Sequence, residues 1–219
     1  SSILRGFILP KFFLENCGAY LAAIRSIGRT EEYFYMPVFE SAAMIPPQTR
    51  REALTEVRAQ LDTVSGSILN IRVGGNDLSH AFGLRRPANR TIYDLRPVAD
   101  ILIDIVAAFG TQYVVSGPVW EYYSGEGWEE GLRREMELDL LNGFTGKTVI
   151  HPNQIPVVNE MLRVSQRDYA DARAILNWDT GSGSLVSASE DGGRMNEYNT
   201  HSRWARRIVL RAERYGVRA

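Results

Sequence analysis

The stretch Gly143-Phe144-Thr145-Gly146-Lys147-Thr148-Val149-Ile150-His151-Pro152-Asn153-Gln154 decides how the chain is read. Before it, Glu129 to Leu141 has helical spacing, with Leu132 and Met136 on one face and Glu129/Arg133 and Glu130/Arg134 as favourable i, i+4 pairs on the other. Glycine at 143 suits the end of that helix, because it takes positive φ without a Cβ clash. A short apolar strand, Thr148 to Ile150, then runs into His151-Pro152, where proline cannot donate to a sheet ladder. Pro156 opens a further helix, a position where its missing N–H costs nothing. Helix, tight turn, strand and helix in this order are one unit of an α/β fold.

The same alternation extends in both directions. Ile3 to Leu9 is a short apolar run closed by Pro10-Lys11, and Leu14, Cys17, Leu21 and Ile24 recur at helical spacing. Tyr33 to Phe39 predicts a buried strand ending at Glu40. After Pro46-Pro47, a helix places Leu54, Val57, Leu61 and Val64 on one face, and Ile68 to Val73 is a third strand ending in Gly74-Gly75-Asn76-Asp77. A basic loop with Arg85, Arg86 and Arg90 precedes a helix from Asp94, and Tyr113 to Val115 is a fourth strand. Thr180 to Gly193 is rich in Gly and Ser and reads as a mobile loop before a last, arginine-rich helix. The domain reading is therefore 1–179 for the α/β domain and 180–219 for that loop and a C-terminal helix, packed on the domain or on a neighbouring subunit.

Composition excludes several classes. A net charge of −1 gives no electrostatic grip on nucleic acid or anionic membrane. The single cysteine, Cys17, excludes an intramolecular disulfide and a cysteine-rich zinc site. No apolar run has membrane-span length, so a soluble, cytoplasmic protein is expected. Apolar strands alternating with helices predict a parallel sheet covered by helices. A (β/α)₈ barrel and an open doubly wound sheet both satisfy that pattern.

In either fold, chemistry collects where parallel strands end. Glu40 and Asp77 stand at such ends, and two converging carboxylates suit Mg²⁺, which takes one or two of them and leaves other positions to water and substrate. Both could instead cap the following helices. Gly74 and Gly75 let backbone approach a ligand, or make a plain tight turn. Arg85 and Arg86 carry guanidiniums suited to a substrate carboxylate or phosphate, or form a solvated basic loop.

Gly143 to Ile155, with Val158-Asn159 beyond, resembles the last barrel strand of the citrate lyase β-subunit and malyl-CoA lyase family of magnesium-dependent carbon–carbon lyases. Phe7-Ile8-Leu9-Pro10-Lys11, Met36 to Ser41 and Gly74 to Leu78 resemble its fourth, fifth and sixth strands, and the C-terminal region resembles a branch found with stress-response gene clusters. The resemblance implies a TIM (β/α)₈ barrel, here expected to start mid-barrel with its first strands missing from the chain. It implies Mg²⁺ (or Mn²⁺) on Glu40 and Asp77, with Lys11 able to neutralise a substrate carboxylate or to pair with a strand-end acid, and His151 holding hydrogen bonds at the mouth. The implied activity is retro-aldol or Claisen-type cleavage of an oxo- or hydroxy-acid or its CoA thioester, in a homotrimer or a multiple of one. The alternative is a barrel that only binds a ligand or metal within a biosynthetic or stress-response assembly.

Overall fold

The computed structural model describes residues 3–27, 33–178, 186–189 and 192–218. The chain divides into two compact units, Ser1–Val157 and Val158–Ala219. Most of the loop expected at Thr180–Gly193, and with it the expected boundary at 179/180, lies outside the described residues.

The first unit is built on five strands: β1 (Gly6–Leu9), β2 (Phe34–Phe39), β3 (Ile71–Val73), β4 (Val115–Gly117) and β5 (Gly146–Lys147). All pair in parallel and lie side by side in chain order. That order has no reversal point, which separates it from a doubly wound sheet, whose strands run outward in both directions from the middle. It is the order of barrel staves. Among the described residues β1 and β5 pair on one side only, so the arc is not closed.

Helices connect the strands: α1 (Cys17–Ser26), α2 (Pro47–Asp62), the short α3 (Gly75–Ala81) with α4 (Arg96–Phe109), and α5 (Trp128–Leu141). The apolar stripes read from the sequence face the core: Cys17, Leu21 and Ile24 on α1 and Leu54, Val57 and Leu61 on α2 are buried, and Leu14 and Val64 partly so. Along β2 the burial alternates. Tyr35 and Phe39 face the helices, whereas Met36 and Val38 face the other way and are only partly covered. Phe39 packs its ring against Phe12, Phe13 and Phe109, with centroids 5.1 to 6.2 Å away. Gly143 has φ of 95°, as its place after α5 requires.

One expectation shifts. The fifth strand is Gly146–Lys147, not Thr148–Ile150. The hydrogen-bonded ladder ends with Gly117 paired to Lys147, and Ile150 beyond it is 54% exposed. Lys147 lies in that strand with its side chain fully buried. Its Nζ is 2.7 Å from Glu135 Oε1 and 2.7 Å from Asp139 Oδ2, both on α5. Glu135 also pairs with Arg86 and accepts from the Ile92 N–H, and Asp139 accepts from the Tyr93 hydroxyl. Two cations and two anions thus neutralise one another out of water. Burial alone would push the Lys147 ammonium down, but Asp139 and Glu135 together outweigh it and hold its pKa above the usual lysine value.

The second unit begins within α6 (Gln154–Met161) and contains β6 (Val164–Ser165), α7 (Gln166–Leu176), the hairpin β7 (Val186–Ala188) and β8 (Met195–Glu197), α8 (Tyr198–Tyr215) and β9 (Val217–Arg218). Helices α7 and α8 close a small core of Val164, Ala172, Ile175, Ala205, Ile208 and Ala212. Arg194 joins Asp168 and Asp171 and lies over the Trp204 ring.

Removing the charge of Lys147 leaves buried Asp139 with no cation and Glu135 with Arg86 alone, and breaking a buried ion pair from one side costs about 3–5 kcal/mol. Lys147→Met is expected to lower the melting temperature strongly or prevent folding. The double variant Asp139→Asn/Lys147→Met, which leaves the Arg86–Glu135 pair intact, should recover part of the loss, read by thermal melts followed by circular dichroism.

Candidate active site at the strand ends

Parallel pairing delivers the ends of β1, β2 and β3 to one rim. After β1, Pro10-Lys11 turns sharply, and Lys11 has φ of 49°, the one non-glycine residue in the left-handed region among the described residues. That conformation costs an ordinary side chain free energy and persists only where neighbours hold it. Here Asn16 Nδ2 donates to the Lys11 carbonyl at 2.7 Å, and the Lys11 N–H donates to Glu40 Oε1 at 3.0 Å. The Lys11 ammonium donates in turn to Asp77 Oδ1 at 3.0 Å. One residue therefore ties together the two acids, which come from the ends of β2 and β3.

Neither acid makes a side-chain cap hydrogen bond, although Asp77 stands in the first turn of α3. Ser41, not Glu40, caps the turn that follows β2, accepting from the Ala43 N–H. Helix α3 has no side-chain cap, and the Asp77 carboxylate in its first turn goes to Lys11. Asp77 and Lys11 remain about half and two-thirds exposed, open to a ligand. The hydrogen bond and charge of Asp77, with a smaller contribution from Glu40, hold the Lys11 ammonium above its usual pKa. Lys11 is thus a fixed positive charge near neutrality.

The donor set fits a hard divalent cation. Glu40 Oε2 and Asp77 Oδ2 have no hydrogen-bond partner among the described residues, and the Lys11 ammonium already stands where the two acids need positive charge. No cluster of three or more His, Cys, Asp or Glu ligands occurs among the described residues. A cation here would take its remaining ligands from water and substrate, as Mg²⁺ does.

Other expected residues divide. Gly74 packs against Glu40: a Cβ there would lie 2.2 Å from Glu40 Oε2 and 2.5 Å from Glu40 Cβ, so its bareness makes room for the carboxylate. Gly75 is buried, and a Cβ would strike Ile92 and Pro118 at 2.6 and 2.7 Å; its glycine answers to packing rather than to a ligand. Arg85 is exposed, with Glu121 3.6 Å away, and lines a cleft of about 370 Å³ with Asn76, His80, Leu84 and Glu121. Arg86, expected to bind substrate, is placed differently. Its guanidinium is buried, paired with Glu135, donating to the Val119 carbonyl and lying 5.1 Å from the Trp120 ring centre. His151 stacks on Tyr123 at 4.3 Å and accepts from the Asn153 N–H, while Gln154 donates to the Trp120 and Tyr122 carbonyls. These contacts hold the β4–α5 loop, a structural role for His151.

Sequence reading missed the Lys147 network. Its signal was available: Glu135 and Asp139 share a helix face with Leu132 and Met136, an odd place for acids unless a buried cation meets them.

A family model described as carbon–carbon bond lyase of the TIM-barrel fold matches residues 1–217. The chain belongs to that family. The L-malyl-CoA/β-methylmalyl-CoA lyase of Cereibacter sphaeroides is 38% identical over 74 residues, which are 33% of this chain and only 22% of that enzyme. Among solved structures, the fold is similar to CitE from Mycobacterium tuberculosis, crystallised with magnesium, acetoacetate and coenzyme A (20% identity, TM-score 0.60, 94% of this chain and 77% of that one). It is also similar to a citrate lyase from Burkholderia xenovorans LB400 (15% identity, TM-score 0.67, 98% of this chain and 65% of that one). The family accounts for the barrel order of the lyase-like sheet. No helix among the described residues is long and apolar enough to cross a membrane.

Gly74→Ala tests the cradle. The added methyl must displace the Glu40 carboxylate, so Mn²⁺ affinity, followed by electron paramagnetic resonance, is expected to fall by about tenfold or more, roughly one lost charged contact. Gly74 has a negative φ of −89°, so the backbone itself tolerates alanine. Unchanged Mn²⁺ affinity would detach Gly74 from the site.

Proposed function

We propose that the chain is a Mg²⁺-dependent carbon–carbon lyase acting on an oxo- or hydroxy-acid, free or as its CoA thioester. The observation that carries the reading is Lys11 joining Glu40 and Asp77 at the strand ends of a lyase-family sheet. Glu40 and Asp77 would hold the metal. When bound there, Mg²⁺ supplies positive charge beside the acid's oxygens, where negative charge develops as the carbon–carbon bond breaks.

The remaining roles fall to the protein. Lys11, kept protonated by Asp77 and Glu40, is suited to orienting a substrate carboxylate and poorly suited to removing a proton. Its backbone N–H fixes one oxygen of Glu40, which limits how that carboxylate can turn. Gly74 keeps the space behind Glu40 clear. The thioester arm draws support from the malyl-CoA lyase relative and from the coenzyme A bound by the M. tuberculosis protein. A homotrimer, or a multiple of one, is part of the same proposal.

Glu40→Gln and Asp77→Asn test it, since each keeps the shape of the side chain and removes the charge a hard cation needs. Each is expected to abolish tight Mg²⁺ binding in calorimetric titration while the melting temperature changes little, because the Lys11 contact that is weakened is solvent-exposed and the repulsion between the neighbouring acids is relieved. Metal affinity unaltered in both variants would overturn the reading. Tight, metal-dependent binding of candidate acids without any cleavage would replace the lyase with a ligand-binding barrel.

A further inference from the structure

The turn after β1 is clasped by the start of α1. Asn16, the residue before that helix, uses both ends of its amide. Its Nδ2 donates to the Lys11 carbonyl at 2.7 Å, and its Oδ1 accepts from the Phe13 N–H at 3.0 Å. One helical turn later, the Tyr20 hydroxyl donates to the Pro10 carbonyl at 2.9 Å. The two side chains are neighbours because the Tyr20 N–H donates to the Asn16 carbonyl, at 3.1 Å, in the first turn of the helix. Two successive carbonyls of the Pro10-Lys11 turn are thus held by one short stretch of chain. Asn16 and Tyr20 are both half-buried, and the Tyr20 ring packs on buried Phe12 at 5.7 Å between centroids.

The backbone needs such a hold at Lys11 in particular. Leu9 is still in register with Pro37, and the Phe12 N–H already donates to the Val38 carbonyl at 2.9 Å, so regular pairing with β2 lies on both sides of the turn. Between them Lys11 has φ of 49°, which a residue with a Cβ adopts only under constraint. Its own contacts to Glu40 and Asp77 are solvent-exposed, and exposed pairs contribute too little to keep an unfavourable φ in place. The clasp acts instead on the carbonyls of the turn itself. Relaxation of φ would swing the Lys11 N–H away from Glu40 Oε1 and free that carboxylate to rotate. Ser41, next to Glu40, is tied to the same stretch, its hydroxyl donating to Glu15 Oε1 at 2.6 Å.

We propose that Asn16 is a positioning residue for the cation site, supported by Tyr20. It touches neither cation nor substrate. It acts through the backbone of Lys11, holding the left-handed turn that aims the Lys11 N–H at one Glu40 oxygen and leaves the other for the metal. Only an amide can fill the place, since the Lys11 carbonyl needs a donor and the Phe13 N–H an acceptor at the same point. This rests on the metal-dependent reading of Glu40 and Asp77.

Mn²⁺ affinity, followed by electron paramagnetic resonance for Asn16→Ala in three backgrounds, tests this. The backgrounds are the wild type, Lys11→Met, which loses the ammonium but keeps the Cβ and its penalty, and Lys11→Gly, which loses both. Asn16→Ala is expected to weaken Mn²⁺ by about tenfold in the first two and by about twofold or less in the third, because glycine takes a positive φ unaided. Tyr20→Phe removes only the hydroxyl and should show the same order with a smaller loss, about threefold; it carries the test if Asn16→Ala fails to fold. In the metal-free protein, Asn16→Ala should also speed exchange of the Lys11 amide hydrogen, read by nuclear magnetic resonance. Equal losses in all three backgrounds, no loss in the wild type, or an unchanged exchange rate would make Asn16 a merely structural residue and overturn the inference while the metal reading stands. A wild type that binds no Mn²⁺ overturns the metal reading, and this inference with it.

Discussion

Parallel pairing in chain order is the constraint from which the candidate site follows. Because β1, β2 and β3 run the same way and lie next to one another, the residue after each strand must arrive at one rim. Lys11, Glu40 and the Gly74–Asp77 turn are far apart in sequence and become neighbours only through that rule. An antiparallel neighbour would have sent one of these ends to the opposite edge. The helices that make parallel pairing possible also hide one face of the sheet, which leaves the rim and the other face for chemistry.

The rim is held under local strain. A lysine in the left-handed region is unfavourable by itself, yet Lys11 spends its N–H on Glu40, its ammonium on Asp77 and its carbonyl on Asn16. Each contact is lost if the backbone relaxes, so the strained turn and the spacing of the two acids support one another. The same rim depends on Gly74 for an opposite reason. There the need is for absent volume, since any side chain would occupy the place of the Glu40 carboxylate.

The legibility of the chain in its sequence varies with the range of the interaction. Apolar periodicity located α1, α2, α4 and α5, because Leu21, Leu54, Leu102 and Leu132 bury one stripe each, a property local to the helix. The resemblance pointed to Lys11, and the carboxyl-end rule pointed to Glu40, Gly74 and Asp77, which the fold brings to the same rim. It did not tell Gly74 from Gly75, since one glycine clears space for a carboxylate and the other for Ile92 and Pro118, and both reasons are tertiary. Strand β5 was misplaced because Val149 and Ile150 look more strand-like than Gly146-Lys147. Pairing with β4, not side-chain apolarity, set its limits. Arg86 and Arg85 read alike as neighbours on a basic loop, and only the long-range acid Glu135 takes one of them inside.

Strands β3 and β5 show how the sheet sorts its cations. On the helix side Lys147 meets two carboxylates in full burial, and its charge is used up in holding α5 to the sheet. On the other side Arg72 meets a hydroxyl, at distances that secure its direction more than its energy. At the rim Lys11 meets one carboxylate in partial solvent, where a pair contributes little to stability and can be exchanged for a ligand. The degree of compensation therefore falls from the covered face to the open one. A folded chain keeps an uncompensated charge only where something outside the fold can answer it, or where water already does. Half-buried Arg72 and exposed Lys11 keep part of their hydration there, whereas the side chain of Lys147 keeps none.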